Sequence, residues 1–348
     1  MTTRGKLLFT LVFLALVGFG IKQWWPKLKP GAASTSAAQH EDKESPGGPE
    51  IKLAETQYEI PKLAPAAPYA PKDNVVEIEL SEYAGYAGLI AANGGLDPND
   101  NSTFAKKHGF KVRIKLSEEE SWNALNSGKM AASATTADVL ATYGKQFQVV
   151  VPAQIGFSRG ADGVVVRSEI KRINDLKGKV LAASQFTEAD FFIRYLSQEA
   201  GLGVAMLADL NAKADPEKVN LVYCEDAFAA GDSFLADLKA GGTRLAGCVT
   251  WAPKTNEVAD GSGGKAHILT TNKNLLIIAD VLVVNKGFAQ AQPKMVAGLV
   301  DGLIEGNRMV RESPDAQLGV IGKAFKWDRE KTKAIQQGKE TQYRHARH

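Results

Sequence analysis

Polar side chains that follow a predicted strand are the residues of this chain best placed to hold a small ligand. The clearest group lies between an apolar run at 180–183 and a helical pattern, and consists of Ser184, Gln185, Phe186 and Thr187. A loop of this kind at a helix N-terminus presents free backbone N–H groups and the positive end of the helix dipole. We therefore predict ligand contacts from this loop. The alternative is a capped helix, because Thr187 and Asp190 have the spacing of a capping box.

Three other predicted strands also end in polar residues. Their candidate side chains are Ser81, Glu82, Tyr83 and Tyr86 after the first strand, Thr135 and Thr136 after the third, and Glu225 in the second half of the chain. In open α/β sheets, ligand contacts come from the loops at the carboxyl ends of strands. Helix packing is the alternative role for the two tyrosines, and simple N-capping is the alternative for the threonines.

Two isolated residues complete the predicted site. Trp251 precedes Ala-Pro where we expect the chain to return between two lobes, so it contacts either a ligand or the other lobe. Asp280 lies in an apolar run, where an unpaired carboxylate is costly, so it belongs either to an exposed strand start or to a cleft. Hydroxyl-bearing helix N-termini favour an anion, whereas aromatic rings beside acids favour a cation or zwitterion. We predict a small organic anion or zwitterion.

The alternation of strand and helix patterns predicts the elements that position these residues. It indicates a mostly parallel sheet with helices on both faces, and the pattern occurs twice along the chain. We therefore expect two lobes joined by two crossover segments, near 157–163 and 251–258. The predicted boundaries are 75–158 together with 256–348 for lobe 1, and 159–255 for lobe 2.

The N-terminal residues have the pattern of a targeting segment. Arg4 and Lys6 precede an apolar run at 7–21, and a helix continued to Trp25 would be about 29 Å long, enough to span a bilayer. We predict an inner-membrane anchor at 7–25 within a segment of residues 1–29, rather than a removed signal peptide. Residues 30–74, rich in Pro and Ala, are predicted to form a disordered or extended tether.

Composition excludes several functional classes. A net charge of +3 and the absence of a basic, aromatic-rich run argue against nucleic acid as a partner. Cys224 and Cys248 are predicted either to form a disulfide or to be two buried apolar side chains, and without a neighbouring histidine they make no metal site. No catalytic motif or phosphate-binding glycine loop is present. We predict a protein without a cofactor and without enzymatic activity.

Four segments in the second half of the chain carry a family resemblance. They are Asp-Leu-Lys-Gly-Lys-Val from 175, Cys-Val-Thr-Trp-Ala-Pro from 248, Asp-Val-Leu-Val-Val-Asn-Lys-Gly-Phe from 280, and Pro-Lys-Met-Val-Ala-Gly-Leu-Val-Asp-Gly from 293. In this order they resemble the periplasmic solute-binding proteins of ABC importers that bind nitrate, taurine, aliphatic sulfonates and thiamine precursors. The resemblance covers roughly residues 75–330.

The resemblance implies both a fold and a function. It implies a two-lobed periplasmic-binding-protein-like fold of type II, each lobe a doubly wound, mostly parallel sheet with flanking helices, with two crossovers as hinge. It also implies an exported protein that binds a solute between its lobes and meets an ABC permease. Thiamine-pyrimidine synthases share this fold, but the cysteine cluster and reactive histidine of that family are not found in this sequence. A ligand-sensing or cell-envelope scaffold module is the alternative function.

Overall fold

The computed structural model describes residues 51–117 and 122–333, so the predicted anchor and the first part of the linker lie outside it. The first sheet has five strands in the order β2-β1-β3-β11-β4. They are β1 (Val75–Ser81), β2 (Lys111–Ser117), β3 (Ala132–Thr136), β4 (Val149–Phe157) and β11 (Ala279–Asn285). We call the part of the protein built on this sheet lobe 1.

The second sheet has six strands in the order β10-β5-β9-β6-β8-β7, and we call the part of the protein built on it lobe 2. They are β5 (Asp162–Arg167), β6 (Val180–Ser184), β7 (Gly203–Met206), β8 (Lys218–Cys224), β9 (Gly247–Trp251) and β10 (Ala266–Thr271). Apolar side chains of each sheet pack against the helices that cover it. In the second sheet, β6 and β9 are buried along almost their whole length, as expected for strands covered on both faces.

Ten α-helices cover the two sheets in the described residues. They are α1 (Ala87–Asn93), α2 (Thr103–His108), α3 (Trp122–Asn126), α4 (Ala137–Tyr143), α5 (Glu188–Glu199), α6 (Ala227–Lys239), α7 (Lys254–Gly261), α8 (Lys286–Ala291), α9 (Pro293–Glu312) and α10 (Pro314–Phe325). The last two helices begin at Pro293 and Pro314, because proline fits the first turn, where no backbone N–H is needed.

The prediction of two mostly parallel α/β sheets is confirmed, with antiparallel strands where the chain passes between the lobes. β11 runs antiparallel to both β3 and β4, and β5 runs antiparallel to both β9 and β10. The chain enters lobe 2 through residues 158–161 and leaves it through residues 272–278. These two segments form the hinge between the sheets.

The predicted return crossover near 251–258 is therefore wrong, and with it the boundary of lobe 2 at residue 255. Residues 254–261 form α7, and Ala266–Thr271 pairs with β5 as an edge strand of the second sheet. The glycine-rich stretch between them is the turn that joins α7 to β10. The second sheet thus continues to residue 271, and the first resumes at 279.

A disulfide between Cys224 and Cys248 is not formed, and both thiols are free and buried. The two residues lie on β8 and β9, which are separated by β6 in the sheet order, so a whole strand stands between them. Burial raises the pKa of the Cys224 thiol to about 11. Both residues act as small apolar side chains, which was the alternative interpretation.

The part of the predicted linker that the structure describes, residues 51–74, is extended but is not a free tether. Its backbone bonds to both lobes, and the Tyr69 ring is buried at an edge-on angle against Phe288, with ring centroids 5.4 Å apart. The composition is that of a disordered segment, but bonds from side-chain amides of the two lobes hold the backbone in place. Order therefore begins at least as early as residue 51, and not at Val75.

Candidate ligand-binding site between the lobes

A pocket lies between the two lobes at the hinge, with about 390 Å³ of space free of atoms when its open mouth is included. Lobe 1 lines it with Ser81, Tyr83, Tyr86, Thr136 and Asp280. Lobe 2 and the crossovers line it with Ser158, Ala161, Asp162, Glu188, Trp251 and Ile278. A solute in this pocket would contact both lobes and both hinge segments.

Strand direction explains why these residues meet. Parallel strands of lobe 1 end at the pocket, and the antiparallel β11 begins there, so that Asp280 pairs with Thr136 in the register. The same relationship holds in lobe 2, where the first residue of β5, Asp162, pairs with the last residue of β9, Trp251. The site therefore combines carboxyl ends of parallel strands with amino ends of antiparallel ones.

Aromatic rings form part of the pocket wall. The rings of Tyr83 and Tyr86 meet edge to face with centroids 5.1 Å apart, and Trp251 packs on Phe228 at 5.3 Å. Trp251 is only 7% exposed, and its indole N–H has no hydrogen-bond acceptor among the described residues. A buried donor without a partner is costly, so this group is suited to an acceptor on a ligand.

Three carboxylates line the pocket, and the described lining residues include no Lys or Arg. They belong to Asp162, Glu188 and Asp280, and the Tyr86 hydroxyl donates to Asp280 Oδ1 at 3.3 Å. Burial and the negative charge of Asp138 raise the pKa of Asp162 to about 6, against the opposing effect of a hydrogen bond from Ser158. Burial also raises the pKa of Asp138. The pocket is thus lined by acidic groups, of which Asp162 and Asp280 are buried.

Asp162 is also part of the hydrogen-bond network of the hinge. Its Oδ2 accepts from Asn272 Nδ2 at 2.8 Å and from the Ser158 hydroxyl. Asn272 Nδ2 also lies 2.9 Å from the Ser158 carbonyl oxygen, and its Oδ1 accepts from the Gly160 N–H at 2.5 Å. The buried side-chain amide of Asn272 therefore joins the two crossovers. The Asp162 carboxylate, to which it donates a hydrogen bond, lines the pocket.

Six of the predicted site residues come together in this pocket. They are Ser81, Tyr83, Tyr86, Thr136, Trp251 and Asp280. Thr136 makes no side-chain bond to the N-terminus of α4, so the capping alternative is not realised there. Glu82 and Thr135 are not part of the lining: Glu82 accepts from the Trp327 indole N–H at 2.6 Å, and Thr135 is buried within β3. The ligand role of the six remains a prediction.

The loop at 184–187, predicted as the main ligand contact, does not line the pocket. The Thr187 hydroxyl donates to the Ser184 carbonyl at 2.9 Å instead of capping α5, and Asp190 pairs with Arg194 at 2.9 Å. Gln185 bonds to the backbone of Gln57, and Phe186 packs near Tyr143 of lobe 1. From this end of α5 it is Glu188, in the first turn, that reaches the pocket.

Glu225 is likewise exposed and outside the pocket. Its neighbour Asp226 caps α6 by accepting from the Ala229 N–H at 2.7 Å. Polar residues after a strand are therefore used here for helix capping and solvent contact.

Five lining residues were not among the predicted ones: Ser158, Ala161, Asp162, Glu188 and Ile278. Most of the predicted residues lie at the carboxyl ends of parallel strands, whereas Asp162 begins an antiparallel strand. The sequence does contain a signal for Asp162, because this acidic residue stands at the start of the apolar strand β5 and within the predicted crossover at 157–163.

The two sheets, the paired crossovers and the pocket between them define the class as a two-lobed periplasmic-binding-protein-like fold of type II. Residues 101–317 match the family model described as "NMT1/THI5 like", and this chain belongs to that family. The resemblance stated from the sequence is thereby confirmed. No curated protein matches the chain.

Solved structures share the fold at low sequence identity. The periplasmic aliphatic sulphonate binding protein SsuA from Escherichia coli matches with a TM-score of 0.55 at 15% identity, covering 77% of this chain and 84% of that one. The periplasmic nitrate-binding protein NrtA from Synechocystis PCC 6803 matches with a TM-score of 0.53 at 15% identity, covering 75% and 69%. The CA3427 gene product of Candida albicans gives 0.57 at 13% identity, covering 76% and 80%.

The first two of these are, by their names, binding proteins. Within 51–117 and 122–333, no helix combines the length and the apolar character needed to cross a bilayer. In the same residues, no group of three or more His, Cys, Asp or Glu side chains is arranged to hold a metal ion.

Proposed function

We propose that this protein is an exported solute-binding protein that captures a small organic solute between its lobes and delivers it to an ABC-type importer. The observation that carries the proposal is a pocket lined from both lobes and from both hinge segments. A solute that touches both lobes favours the closed arrangement by its differential affinity, so binding and closure are one equilibrium.

The pocket favours a solute with a positively charged ammonium group. The buried carboxylate of Asp162 disfavours a simple anion, and tyrosine and tryptophan faces attract cations. The Trp251 N–H supports a hydrogen-bond acceptor on the same solute. Of the two ligand classes predicted from the sequence, an anion or a zwitterion, these features support the zwitterion.

The proposed location is the periplasm, with the chain attached to the inner membrane by residues 7–25. The sequence pattern of that segment supports the attachment, and the periplasmic origin of the sulphonate- and nitrate-binding neighbours supports the compartment. The permease would then be reached from the membrane surface.

The alternative is a ligand-sensing or cell-envelope scaffold module with the same fold. The contacts of residues 51–74 with both lobes favour it, because they link the chain that follows the predicted anchor directly to both lobes. A sensor of this kind would still bind a solute, whereas a scaffold would not.

A thermal-shift screen of the full chain tests the proposal. Glycine betaine and ethanolamine represent ammonium compounds that carry an acceptor, and methanesulfonate and nitrate represent anions. We expect the ammonium compounds to raise the melting temperature in a concentration-dependent way and the anions to leave it unchanged. Binding of the anions alone would overturn the ammonium assignment. The absence of any shift from a broad panel of amines, amino acids and anions would favour the scaffold function.

A further inference from the structure

Residues 51–74, which we call the strap, precede the first strand and contact lobe 2 before they contact lobe 1. Ile51 and Leu53 pack against the apolar cluster of lobe 2, and Tyr69 is buried in that of lobe 1. The strap is therefore a third connection between the lobes, in addition to the two crossovers.

The lobe 2 end of the strap is held by the edge of the second sheet and by one glutamine. The Ala54 N–H donates to the Tyr223 carbonyl at 2.8 Å, and the Thr56 hydroxyl donates to the Leu207 carbonyl at 2.6 Å. Gln185 binds both backbone groups of Gln57: its Oε1 accepts from the N–H at 2.9 Å, and its Nε2 donates to the carbonyl at 2.6 Å.

The lobe 1 end begins with a second glutamine that works in the same way. Gln146 Oε1 accepts from the Leu63 N–H at 2.9 Å, and its Nε2 donates to the Pro61 carbonyl at 3.2 Å. The two glutamines thus hold the strap on either side of residues 58–60, one from each lobe.

Three asparagines hold the strap beyond that point. Ala64 donates to Asn123 Oδ1 at 2.7 Å and accepts from Asn126 Nδ2 at 2.8 Å. Asn285, which is 1% exposed, donates to the Ala67 carbonyl at 2.9 Å and accepts from the Tyr69 N–H at 3.1 Å. These bonds satisfy backbone groups that an extended segment cannot pair internally.

Two glycines of lobe 1 leave room for Pro68 of the strap. A Cβ at Gly287 would lie 2.4 Å from the Cβ of Pro68, and a Cβ at Gly128 would lie 2.6 Å from its carbonyl oxygen. The buried side chains of Asn126 and Asn285 also bond to the strap here, so lobe 1 forms a groove that fits this part of the strap. The lobe 2 end depends more on the partly exposed pair of Gln57 and Gln185.

The loop that holds the strap on lobe 2 also packs against lobe 1. Phe186, next to Gln185, adopts a left-handed backbone with φ of 64° and lies in the apolar cluster that contains Tyr143, the two ring centroids being 6.4 Å apart. Movement of this loop away from lobe 1 therefore moves Phe186 and Gln185 together.

We infer that the strap is a latch for the closed arrangement of the lobes, and that opening of the cleft releases its lobe 2 end. Only Tyr58, Glu59 and Ile60 separate the two glutamine-held segments, and four residue steps span at most about 14 Å. Tyr58 and Ile60 are exposed and contribute little to holding the strap. Closure of the lobes and attachment of the N-terminal segment are then coupled.

Hydrogen exchange of the full chain, read at the strap amides, tests the latch. We expect Gln185→Ala to accelerate exchange at Ala54 and Gln57 at least tenfold, while Tyr69, held by lobe 1, keeps its protection. Gln198→Ala is the matched control, because Gln198 is an exposed glutamine of lobe 2 on α5 that does not contact the strap. It should leave exchange at both ends unchanged.

A second measurement separates a latch from a surface attachment. Small-angle scattering of the same variants reports the opening of the cleft, and we expect a larger radius of gyration for Gln185→Ala and an unchanged one for Gln198→Ala. If Gln185→Ala frees the strap and the radius of gyration stays the same, the strap does not restrain the lobes and the inference is wrong. Neither readout depends on a ligand, so this failure leaves the proposed function intact.

Discussion

The side-chain amide of Asn272 donates a hydrogen bond of 2.8 Å to the carboxylate of Asp162, and the same carboxylate accepts from Ser158 in the other hinge segment. Asp162 thus lines the pocket and also takes part in the hinge network. A change in its charge is expected to act on both affinity and closure.

Affinity for an ammonium compound should fall when the pH drops below about 6. The pKa of Asp162 is raised to about 6, so the carboxylate is ionised above that pH and protonated below it. A cation binds the ionised form, hence each further pH unit below 6 should weaken binding up to tenfold. Asp138, Glu188 and Asp280 add acidic groups around it, and Arg159 of the same crossover does not line the pocket. Calorimetric titration with glycine betaine from pH 5 to 8 measures this, and a pH-independent affinity would contradict it.

Asp162→Asn should stabilise the ligand-free protein at neutral pH. A buried acid with a raised pKa destabilises the folded state above that pKa, and the effect disappears below the unfolded-state value near 4. The shift from 3.8 to about 6 corresponds to at most about 3 kcal/mol at pH 7.5. Thermal unfolding of the variant should therefore show a higher melting temperature at pH 7.5 and little difference at pH 4. A loss of stability at both pH values would show that the bonds to Ser158 and Asn272 outweigh the charge.

Phe186→Ala should open the cleft and weaken binding by about two- to tenfold. Aromatic contacts of the kind that Phe186 makes with Tyr143 contribute about 0.5–1.5 kcal/mol beyond burial. Phe191→Ala is a suitable control, because Phe191 packs within lobe 2 and pairs with Tyr195. Scattering should report a larger radius of gyration for the Phe186 variant only. Equal effects of the two substitutions would contradict a contact that holds the lobes together.

Trp251→Phe should distinguish ligands by their acceptor groups. The substitution keeps an aromatic ring in the pocket and removes the buried N–H, which has no acceptor among the described residues. Binding of glycine betaine should weaken about tenfold, the typical effect of a lost hydrogen bond to a charged group. Tetramethylammonium, which has no acceptor, should lose less affinity, since only the weaker attraction of the phenyl face for a cation affects it. Equal losses for the two compounds would assign Trp251 a packing role.

Periodicity and turn chemistry made much of the fold predictable. Parallel strands buried on both faces give long apolar runs, and Pro293 and Pro314 mark helix starts by covalent geometry. Two edge strands have no clear strand pattern in the sequence: Ala266–Thr271 contains His and Thr and follows a glycine-rich turn, and Gly203–Met206 has only four residues. Such short or polar strands exist because a neighbouring strand pairs with them, which is a tertiary effect.

The candidate site was predictable only in part. Tyr83 and Tyr86 follow a strand, Trp251 ends one, and all three reach the pocket. The loop at 184–187 instead contacts the strap and the opposite lobe. The strap itself has the composition of a linker, and its order comes from amides more than fifty residues away along the chain. Long-range pairing of this kind leaves no local pattern in the sequence.

A crystal structure of the protein with a bound ammonium compound from the thermal-shift screen tests the central claim most directly. The account predicts the ammonium group between the lobes, within about 4 Å of the carboxylates of Asp162, Glu188 or Asp280, with an acceptor on the Trp251 N–H. A ligand bound outside the interlobe pocket, or an anionic group placed against these carboxylates, would contradict it.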